Sequence, residues 1–356
     1  MSQRITVQIK ILPTKEQASI LEQMSKTYIS TVNTLVSEMV KENQLTKKTS
    51  KDVHVPLPSA VKNQTIRDAK SVFRQIKKNN YKNVPIFKKS VCIWNNQNYS
   101  FDNTHISMPI WMNGKSSYTP FRALFDKDNR NLKLLQQHKK GTLLIKKKGN
   151  KWIAHISVLV PTSQEFGSTY MAVDLGLKVP AVAVTDDGKV RFFGNGRKNK
   201  YMRRKFYTQR RELGKRKKIN AIRRLGDKEQ RWMRDEDHKV SRSIVNFAIE
   251  NNVSVIRLED LANVRKTTRT SRKNEKNLHT WSFFRLSRYI EYKANLAGIK
   301  VEYVDPAFTS QTCPNCSKRN KAKDRKYKCV ECGFEKHRDL VGAMNILNAP
   351  VINGNS

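Results

Sequence analysis

Three acidic residues, far apart in the sequence, each stand where a carboxylate needs a neutralising partner. Asp174 lies inside an apolar run, Glu259 ends the apolar run 253–259, and Asp339 opens the last predicted helix. A buried carboxylate is unfavourable unless it is neutralised, and two such charges ~4 Å apart repel by about 4 kcal/mol at an effective dielectric constant of 20. Oxygen ligands favour Mg²⁺ or Mn²⁺ over zinc. The three acids are therefore candidate catalytic residues and metal ligands for phosphodiester hydrolysis.

Each acid taken alone also has a purely structural interpretation. Asp174 could accept hydrogen bonds from a turn at a strand end, Glu259 with Asp260 could cap the following segment, and Asp339 could be an early helical acid favoured by the helix dipole. These alternatives stay open for the single residues. The joint placement of the three acids favours the cation site.

Four of the five cysteines form two Cys-x₂-Cys pairs, the most specific local pattern in the sequence. The four are Cys313, Cys316, Cys329 and Cys332. This spacing is typical of a structural zinc ribbon, and in a reducing compartment it favours metal over disulfides. Cys92 stands alone, and His337 is not needed because four thiolates already fill a tetrahedron. The ribbon also carries a high positive charge, from Lys318, Arg319, Lys321, Lys323, Arg325, Lys326 and Lys328.

The net charge of the chain indicates which kind of molecule it binds. Its 356 residues include 70 Lys and Arg against 30 Asp and Glu, a formal net charge of +40 at pH 7. Self-repulsion on this scale disfavours a compact free protein and indicates a polyanionic partner, which we expect to be nucleic acid. The length suffices for two or three domains. No apolar run can cross a bilayer and the N-terminus lacks a signal-peptide pattern, so we expect a cytoplasmic protein without a membrane partner.

The elements that carry the first two acids are predicted to be strands. The stretch 170–190 is predicted as a strand hairpin around Asp174, with Asp187-Gly188 as a turn signal. Residues 189–193 then give a third strand. The apolar run 253–259 is predicted as a buried strand that ends at its acid.

The elements that follow complete an α/β pattern. An amphipathic helix is predicted over 281–294, a strand over 299–304, and a final helix from about Asp339. The order of strand hairpin, third strand, helices, strand, helix, strand and helix is that of a ribonuclease-H-like fold. In that fold Asp174 lies on the first strand and Glu259 at the end of the fourth, so the three acids are expected to converge.

The N-terminal part of the chain is predicted to combine helices with a β-rich module. Residues 4–11 alternate as a strand, a long helix follows with a capping box between Thr14 and Gln17, and a second helix begins at Ser59. Residues 84–161 contain short alternating runs separated by turn residues, and the opening strand is expected to belong with them. Four aromatic residues there could stack on bases or, more commonly in small barrels, pack in the core: Trp94, Trp111, Tyr118 and Trp152.

A strongly basic stretch, 197–242, follows the third strand of the hairpin region and is predicted to be helical. Such a run can be a solvated face, but its position next to a candidate catalytic strand favours contact with phosphates that reads no sequence. The polar and basic segment 261–277 is predicted to be a mobile loop.

These motifs, in this order and spacing, resemble the TnpB family of transposon-encoded RNA-guided endonucleases, which is ancestral to type V CRISPR effectors. The match extends over about residues 170–347. It is carried by MAVDLGLKVPAVAV with Asp174, by VIRLEDL with Glu259, by WSFFRLSRYIEYKANLAGIKVEYVDPAFTSQTCPNC, and by KYKCVECGFEKHRDLVGAMNIL with Asp339. Upstream segments are similar more loosely.

The resemblance implies an α/β RuvC (ribonuclease-H-like) nuclease domain with an inserted zinc ribbon, and an N-terminal β-barrel wedge domain interrupted by a helical recognition lobe. The implied ranges are 1–12 and 80–165 for the wedge domain, 13–79 for the recognition lobe, 166–308 and 335–356 for the RuvC domain, and 309–334 for a zinc-ribbon insert that binds the target nucleic acid.

The resemblance also implies an activity. A guide RNA encoded at the transposon end pairs with one DNA strand, the protein reads a short flanking motif, and one RuvC site cuts both strands of the matched DNA with Mg²⁺ or Mn²⁺. The expected partners are a guide RNA and target double-stranded DNA, with a monomer bound to RNA favoured. The expected location is the cytoplasm of a bacterium or archaeon, in association with the nucleoid.

One departure from the family pattern lies beside the third acid. Where the family often has Asp-x-Asn-Ala-Ala, this chain has Asp339-Leu-Val341-Gly342-Ala. Val341 cannot make the hydrogen bonds of the asparagine, so the packing behind the site is expected to differ. Two other hypotheses stay open, an RNA-guided DNA-binding regulator with idle acids and a DNA-joining transposase. The presence of all three acids favours the nuclease.

Overall fold

The computed structural model of the protein describes residues 2–81, 83–125, 130–162, 168–261, 283–320 and 325–352. The chain divides into two compact units, one of residues 2–160 and one of residues 161–356. The predicted mobile loop 261–277 lies outside the described residues except for its first residue. Within the described part of the chain, no helix combines the length and the apolar character needed to span a membrane.

The N-terminal unit contains two long helices, α1 (Lys15–Glu42) and α2 (Ser59–Asn79), and a short helix, α3 (Arg130–Gln137). The predicted capping box is confirmed at α1, where the Gln17 N–H donates to Thr14 Oγ1 at 3.2 Å and the Thr14 N–H donates to Gln17 Oε1 at 3.0 Å. Its seven strands are β1 (Ser2–Leu12), β2 (Cys92–Trp94), β3 (Ser100–Phe101), β4 (His105–Met112), β5 (Lys115–Leu124), β6 (Lys139–Lys148) and β7 (Lys151–Pro161).

The seven strands form one sheet in the order β2-β6-β7-β1-β5-β4-β3, so the opening strand lies in the middle of the β-rich module, as predicted. The predicted barrel needs a correction, because among the described strands no backbone ladder joins β2 to β3. Both edge strands are short. The sheet is curled enough for Trp94 Nε1 on β2 to donate to the Pro109 carbonyl on β4 at 3.0 Å.

The helices α1 and α2 share one hydrophobic core with this sheet, so the predicted recognition-lobe segment is part of the same compact unit as the strands. Trp94 and Trp152 are buried and Trp111 packs against the core, which favours the structural interpretation of these aromatics. Tyr118 is exposed. Strand β5 was not predicted, because Pro120 and several polar residues interrupt its pattern.

The second unit is built on a five-stranded sheet in the order β10-β9-β8-β11-β12. Its strands are β8 (Thr169–Asp174), β9 (Ala181–Thr185), β10 (Val190–Phe193), β11 (Val253–Glu259) and β12 (Lys300–Val304). The first three strands pair antiparallel, whereas β11 pairs parallel with both β8 and β12. The order of strands and helices that the sequence predicts is confirmed.

Helices cover both faces of this sheet. The helices are α4 (Gly196–Lys215), α5 (Ile219–Leu225), α6 (Lys228–Glu250), α7 (Phe283–Leu296) and α8 (Arg338–Asn348). Side chains of α6 and α7 pack with Val173 and Leu258 on one face, and α8 packs with Ala172 on the other. Because side chains alternate along a strand, Asp174 and Glu259 lie on the face that α8 covers.

The basic stretch 197–242 is helical, as predicted, but it is divided among α4, α5 and the first part of α6. Helix α4 buries only Gly196, so its many Lys and Arg side chains are at least partly exposed. Helix α6 continues without a break into the apolar residues around Ile244. One helix therefore joins the end of the basic stretch to the core of the sheet.

Candidate functional site

Asp174 and Glu259 are the last residues of two neighbouring parallel strands. The register of β8 and β11 places Val173 beside Leu258, so the two acids follow side by side at the carboxyl edge of the sheet. Neighbouring strands lie only about 4.8 Å apart. The predicted pairing of these acids thus follows from strand register.

The electrostatic surroundings of both acids favour their protonated forms. Desolvation raises the pKa of Asp174 well above its usual value of 3.8, and the charges of Glu259 and Asp339 raise it further. Arg338 and Arg325 partly offset this effect. Desolvation also raises the pKa of Glu259, although a hydrogen bond from Thr309 opposes the shift. All three acids are therefore close enough to interact, and their combined negative charge is not fully balanced by the protein.

Helix α8 carries Asp339 in its first turn and lies directly against Asp174. The Asp339 N–H donates to the side chain of His337, which caps the helix, at 3.3 Å. One turn further on, a Cβ atom added to Gly342 would lie 2.8 Å from Asp174 Oδ2 and 3.3 Å from Asp174 Cγ. In this packing, a larger residue at this position would require the acid or the helix to shift.

A hydrogen-bonded turn after β12 orients Glu259. The Thr309 hydroxyl donates to Glu259 Oε1 at 2.5 Å. On α8, Asn345 Nδ2 donates to the Thr309 carbonyl at 2.6 Å and to the Thr312 carbonyl at 2.7 Å. The helix that carries the third acid therefore also holds the turn that positions the second.

Arg325 supplies a cation at the third acid. Its guanidinium donates to Asp339 Oδ2 in an ion pair, and its carbonyl accepts from the Arg338 N–H at 2.7 Å. Arg325 belongs to the segment that carries the cysteines. The side chain of Arg325 therefore connects the ribbon to the candidate catalytic site.

The three acids do not form a tight cluster by themselves. Among the described residues, only the four cysteines bring three or more potential ligand atoms within 4.8 Å of one another. Two cations ~4 Å apart with ligands at about 2.1 Å span roughly 8 Å, so a two-cation site does not need closer carboxylates. Three carboxylates, two of them with raised pKa values, form a set of oxygen donors that fits hard divalent cations.

The four cysteines come together as predicted and could hold zinc. Sγ of Cys313 lies 3.6 Å from Sγ of Cys332, and Sγ of Cys316 lies 3.5 Å from Sγ of Cys329. With Zn–S bonds of about 2.3 Å, the edge of a tetrahedron is about 3.8 Å, which these separations approach. Hydrogen bonds from the Asn315 side chain and the Phe334 backbone help to lower the pKa of Cys332 to about 6, which favours its thiolate.

Two short strands, β13 (Lys326–Lys328) and β14 (Glu335–His337), form the hairpin of this ribbon, and β14 leads directly into α8. Val341 of α8 is buried in one cluster with Tyr327 and the cysteines Cys313 and Cys329. Val341, which replaces the asparagine of the family pattern, therefore packs against the cysteine cluster.

Four positions that support the acids were not predicted as site residues. These are Thr309, Arg325, Gly342 and Asn345. All four lie within the range 170–347 over which the resemblance extends, but their roles depend on contacts with residues distant in the chain. Gly342 carried the clearest signal, since a glycine in a helix interior is unfavourable unless space is restricted.

The chain is similar in sequence to a family model and to several known proteins. Residues 283–346 match the family model of the Cas12f1-like TNB domain. The chain is 30% identical over 216 residues to the CRISPR-associated endodeoxyribonuclease Cas12f1 of Sulfoacidibacillus thermotolerans, covering 55% of this chain and 50% of that protein. It is 37% identical over 121 residues to a TnpB-like protein of Methanocaldococcus jannaschii, covering 33% of this chain and 43% of that protein. The chain thus spans about half the length of these relatives.

The fold of the chain is similar to that of a solved structure. The Cas12f1 chain of a Cas12f1–sgRNA–target DNA complex superposes with a TM-score of 0.71 at 18% identity, covering 95% of this chain and 84% of that chain. At this identity the likeness shows a Cas12f-like fold and nothing about activity. The TNB match, the Cas12f1 and TnpB-like relatives and the shared fold together show that the chain is related to TnpB-like and Cas12f proteins.

Proposed function

We propose that the protein is an RNA-guided DNA endonuclease that binds a transposon-derived guide RNA, recognises a short flanking motif and cleaves matched double-stranded DNA at a single RuvC site. The observation that carries the proposal is the pair of neighbouring strand-end acids, Asp174 and Glu259, whose pKa values are raised beside a third acid, Asp339. The name of the Cas12f1 relative, an endodeoxyribonuclease, supports the same reaction class.

The three acids would hold Mg²⁺ or Mn²⁺. When bound, a pair of such cations supplies an activated water and stabilises the leaving oxygen in phosphodiester hydrolysis. Thr309 holds the carboxylate of Glu259 by its hydroxyl, and the missing side chain of Gly342 lets Asp174 face the same space. The cationic Arg325 balances part of the charge on Asp339.

The rest of the chain would bind nucleic acid. The net charge of +40 and the exposed basic helix α4 suit contacts with phosphates, while base pairing with the guide reads the target sequence. The four cysteines would bind a structural zinc ion. The wedge domain, the recognition lobe, the target-binding ribbon, a monomeric ribonucleoprotein and a cytoplasmic, nucleoid-associated location remain predictions.

A cleavage assay tests this function. The protein is purified with its RNA, the copurified RNA is sequenced to identify the guide, and the complex is incubated with a matched plasmid and Mg²⁺. We expect double-strand cleavage by the wild type and none by Asp174→Ala, because one ligand of the proposed site is lost.

Two results would contradict the proposal in different ways. Cleavage that persists in Asp174→Ala would reject the assignment of the acids. Guide-dependent binding without any cleavage by the wild type would instead favour the regulator hypothesis. A plasmid with a scrambled target is the matched control for guiding.

A further inference from the structure

Phe308 combines an exposed aromatic ring with an unfavourable backbone conformation. Its φ angle is +62°, in the left-handed region that bulky residues rarely adopt, and 45% of its surface is exposed. Burial therefore does not explain why a phenylalanine occupies this position. Strained residues of this kind concentrate at functional sites.

The ring stands at a fixed place relative to the candidate catalytic acids. The Phe308 carbonyl accepts from the backbone N–H groups of Gln311 at 2.9 Å and Thr312 at 3.0 Å. The next residue, Thr309, donates to Glu259, and Asn345 holds the carbonyls on both sides of the turn. Phe308 is thus one residue away from a direct contact with a proposed metal ligand.

A planar cation covers part of the ring. The guanidinium carbon of Arg319 lies 3.6 Å from the centroid of the Phe308 ring. Arg319 is itself exposed, and its backbone forms an isolated bridge to Thr312 in the same turn. The pair presents an aromatic plane and a positive charge together at the surface.

This combination suits a nucleotide better than an apolar peptide. Bases stack on aromatic rings and on guanidinium planes, and the guanidinium also attracts the adjoining phosphate. Stacking tolerates any base because every base has a π face. Such tolerance is what an enzyme needs if base pairing with a guide selects its target.

We propose that Phe308 and Arg319 form a stacking platform for an unpaired base of the DNA strand whose phosphodiester lies at the three acids. The platform would fix that strand next to Glu259 without reading its sequence. The inference rests on the proposed nuclease function and adds the residues that position its single-stranded substrate.

The test uses the purified full-length ribonucleoprotein and single-stranded oligodeoxynucleotides that carry one 2-aminopurine, moved one position at a time. Stacking quenches the fluorescence of this base. We expect quenching at one or two positions in the wild type and its loss in Phe308→Asn. Asparagine tolerates the left-handed backbone, so the melting temperature is expected to stay the same or rise. Phe308→Tyr keeps the ring and should keep the quenching.

A second readout follows cleavage. An abasic nucleotide at the quenched position should lower kcat/KM of the wild type by roughly 5- to 150-fold, the usual value of one base–aromatic stack, and should have no further effect in Phe308→Asn. Val330→Ala, an 80% exposed apolar residue of the ribbon, is the matched control and should behave as the wild type does.

The platform is overturned if Phe308→Asn quenches and cleaves like the wild type, or if it lowers the melting temperature and zinc content instead, which indicates a structural ring. A wild type that quenches 2-aminopurine but cuts no DNA supports the platform and contradicts the proposed nuclease. The two failures are therefore distinguishable.

Discussion

At the scale of single residues, the surroundings of Asp174 disfavour its charged form. Burial and two neighbouring acids raise its pKa, while Arg325 and Arg338 only partly oppose them. Without a divalent cation, the charged form of Asp174 therefore destabilises the folded protein. A divalent cation at the proposed site would remove this cost.

Because of this destabilisation, we expect the difference in stability between the wild type and Asp174→Asn to depend on pH in buffer without Mg²⁺ or Mn²⁺. Because the folded-state pKa is raised above 3.8, the contribution of Asp174 to stability is fully present below that value and is lost as the pH rises through the folded pKa. Thermal unfolding from pH 4 to pH 8 should show the wild type losing stability relative to Asp174→Asn, by about 1.4 kcal/mol for each unit of the shift.

Adding Mg²⁺ at pH 8 should raise the melting temperature of the wild type and leave that of Asp174→Asn nearly unchanged. An equal gap between the two proteins at pH 4 and pH 8 would mean that Asp174 is not electrostatically destabilised.

At the scale of elements, helix α8 connects three parts of the second unit. Asp339 is one of the three acids, Gly342 lies against Asp174, and Val341 packs against the cysteine cluster. Asn345 holds the turn that orients Glu259. A small shift of this helix therefore changes the acids and the ribbon together.

Gly342→Ala tests this close contact. The added methyl group would lie 2.8 Å from Asp174 Oδ2, so the acid or the helix must move, and a displacement of about 1 Å at a catalytic group can lower the rate about 10²-fold. We expect that loss in single-turnover cleavage. Gly214→Ala in α4 is the control, since nothing lies within 4 Å of its Cβ and helix propensity alone should stabilise it by up to about 1 kcal/mol. Full cleavage activity with a similar gain in stability in Gly342→Ala would disprove the contact.

The ribbon provides a second prediction at this scale. Cys313→Ser should lose bound zinc, measured by atomic absorption, and should unfold at a lower temperature, because zinc binding of roughly 10–16 kcal/mol contributes to folding. Cys92→Ala should keep its zinc, since Cys92 is buried in the other unit. Unchanged metal content in Cys313→Ser would contradict the zinc site.

At the scale of the whole molecule, the net charge of +40 favours binding to polyanions such as nucleic acid. Basic residues occur in both units, and α4 presents them with little burial. Binding to a polyanion releases counterions, so affinity is expected to fall steeply with salt.

The contribution of α4 can be measured from that salt dependence. If the exposed Arg204 and Lys205 contact phosphates, changing both to Gln should reduce the slope of log K against log salt for double-stranded DNA by about 0.9 for each contact. Arg204→Lys with Lys205→Arg keeps the charge and should keep the slope. Equal slopes in all three proteins would show that α4 does not contact phosphates at these positions.

Parts of both units could be predicted from local patterns. The capping box at Thr14, the strands that carry Asp174 and Glu259, and the Cys-x₂-Cys pairs depend on residues close together in the chain, where side-chain periodicity and ligand spacing act directly. Strand β5 was missed because Pro120 hides its alternation, and the sheet of the first unit is curled but not closed.

The sequence by itself determined which side chains could hold cations, since carboxylates and thiolates have fixed ligand preferences, and in what order the strands and helices occur. The tertiary structure alone decided that Gly342 makes room for Asp174, that Val341 packs under the cysteines, and that Asn345 and Thr309 orient Glu259. These contacts join residues that are distant in the chain. They depend on how α8 packs on the sheet, which no local pattern encodes.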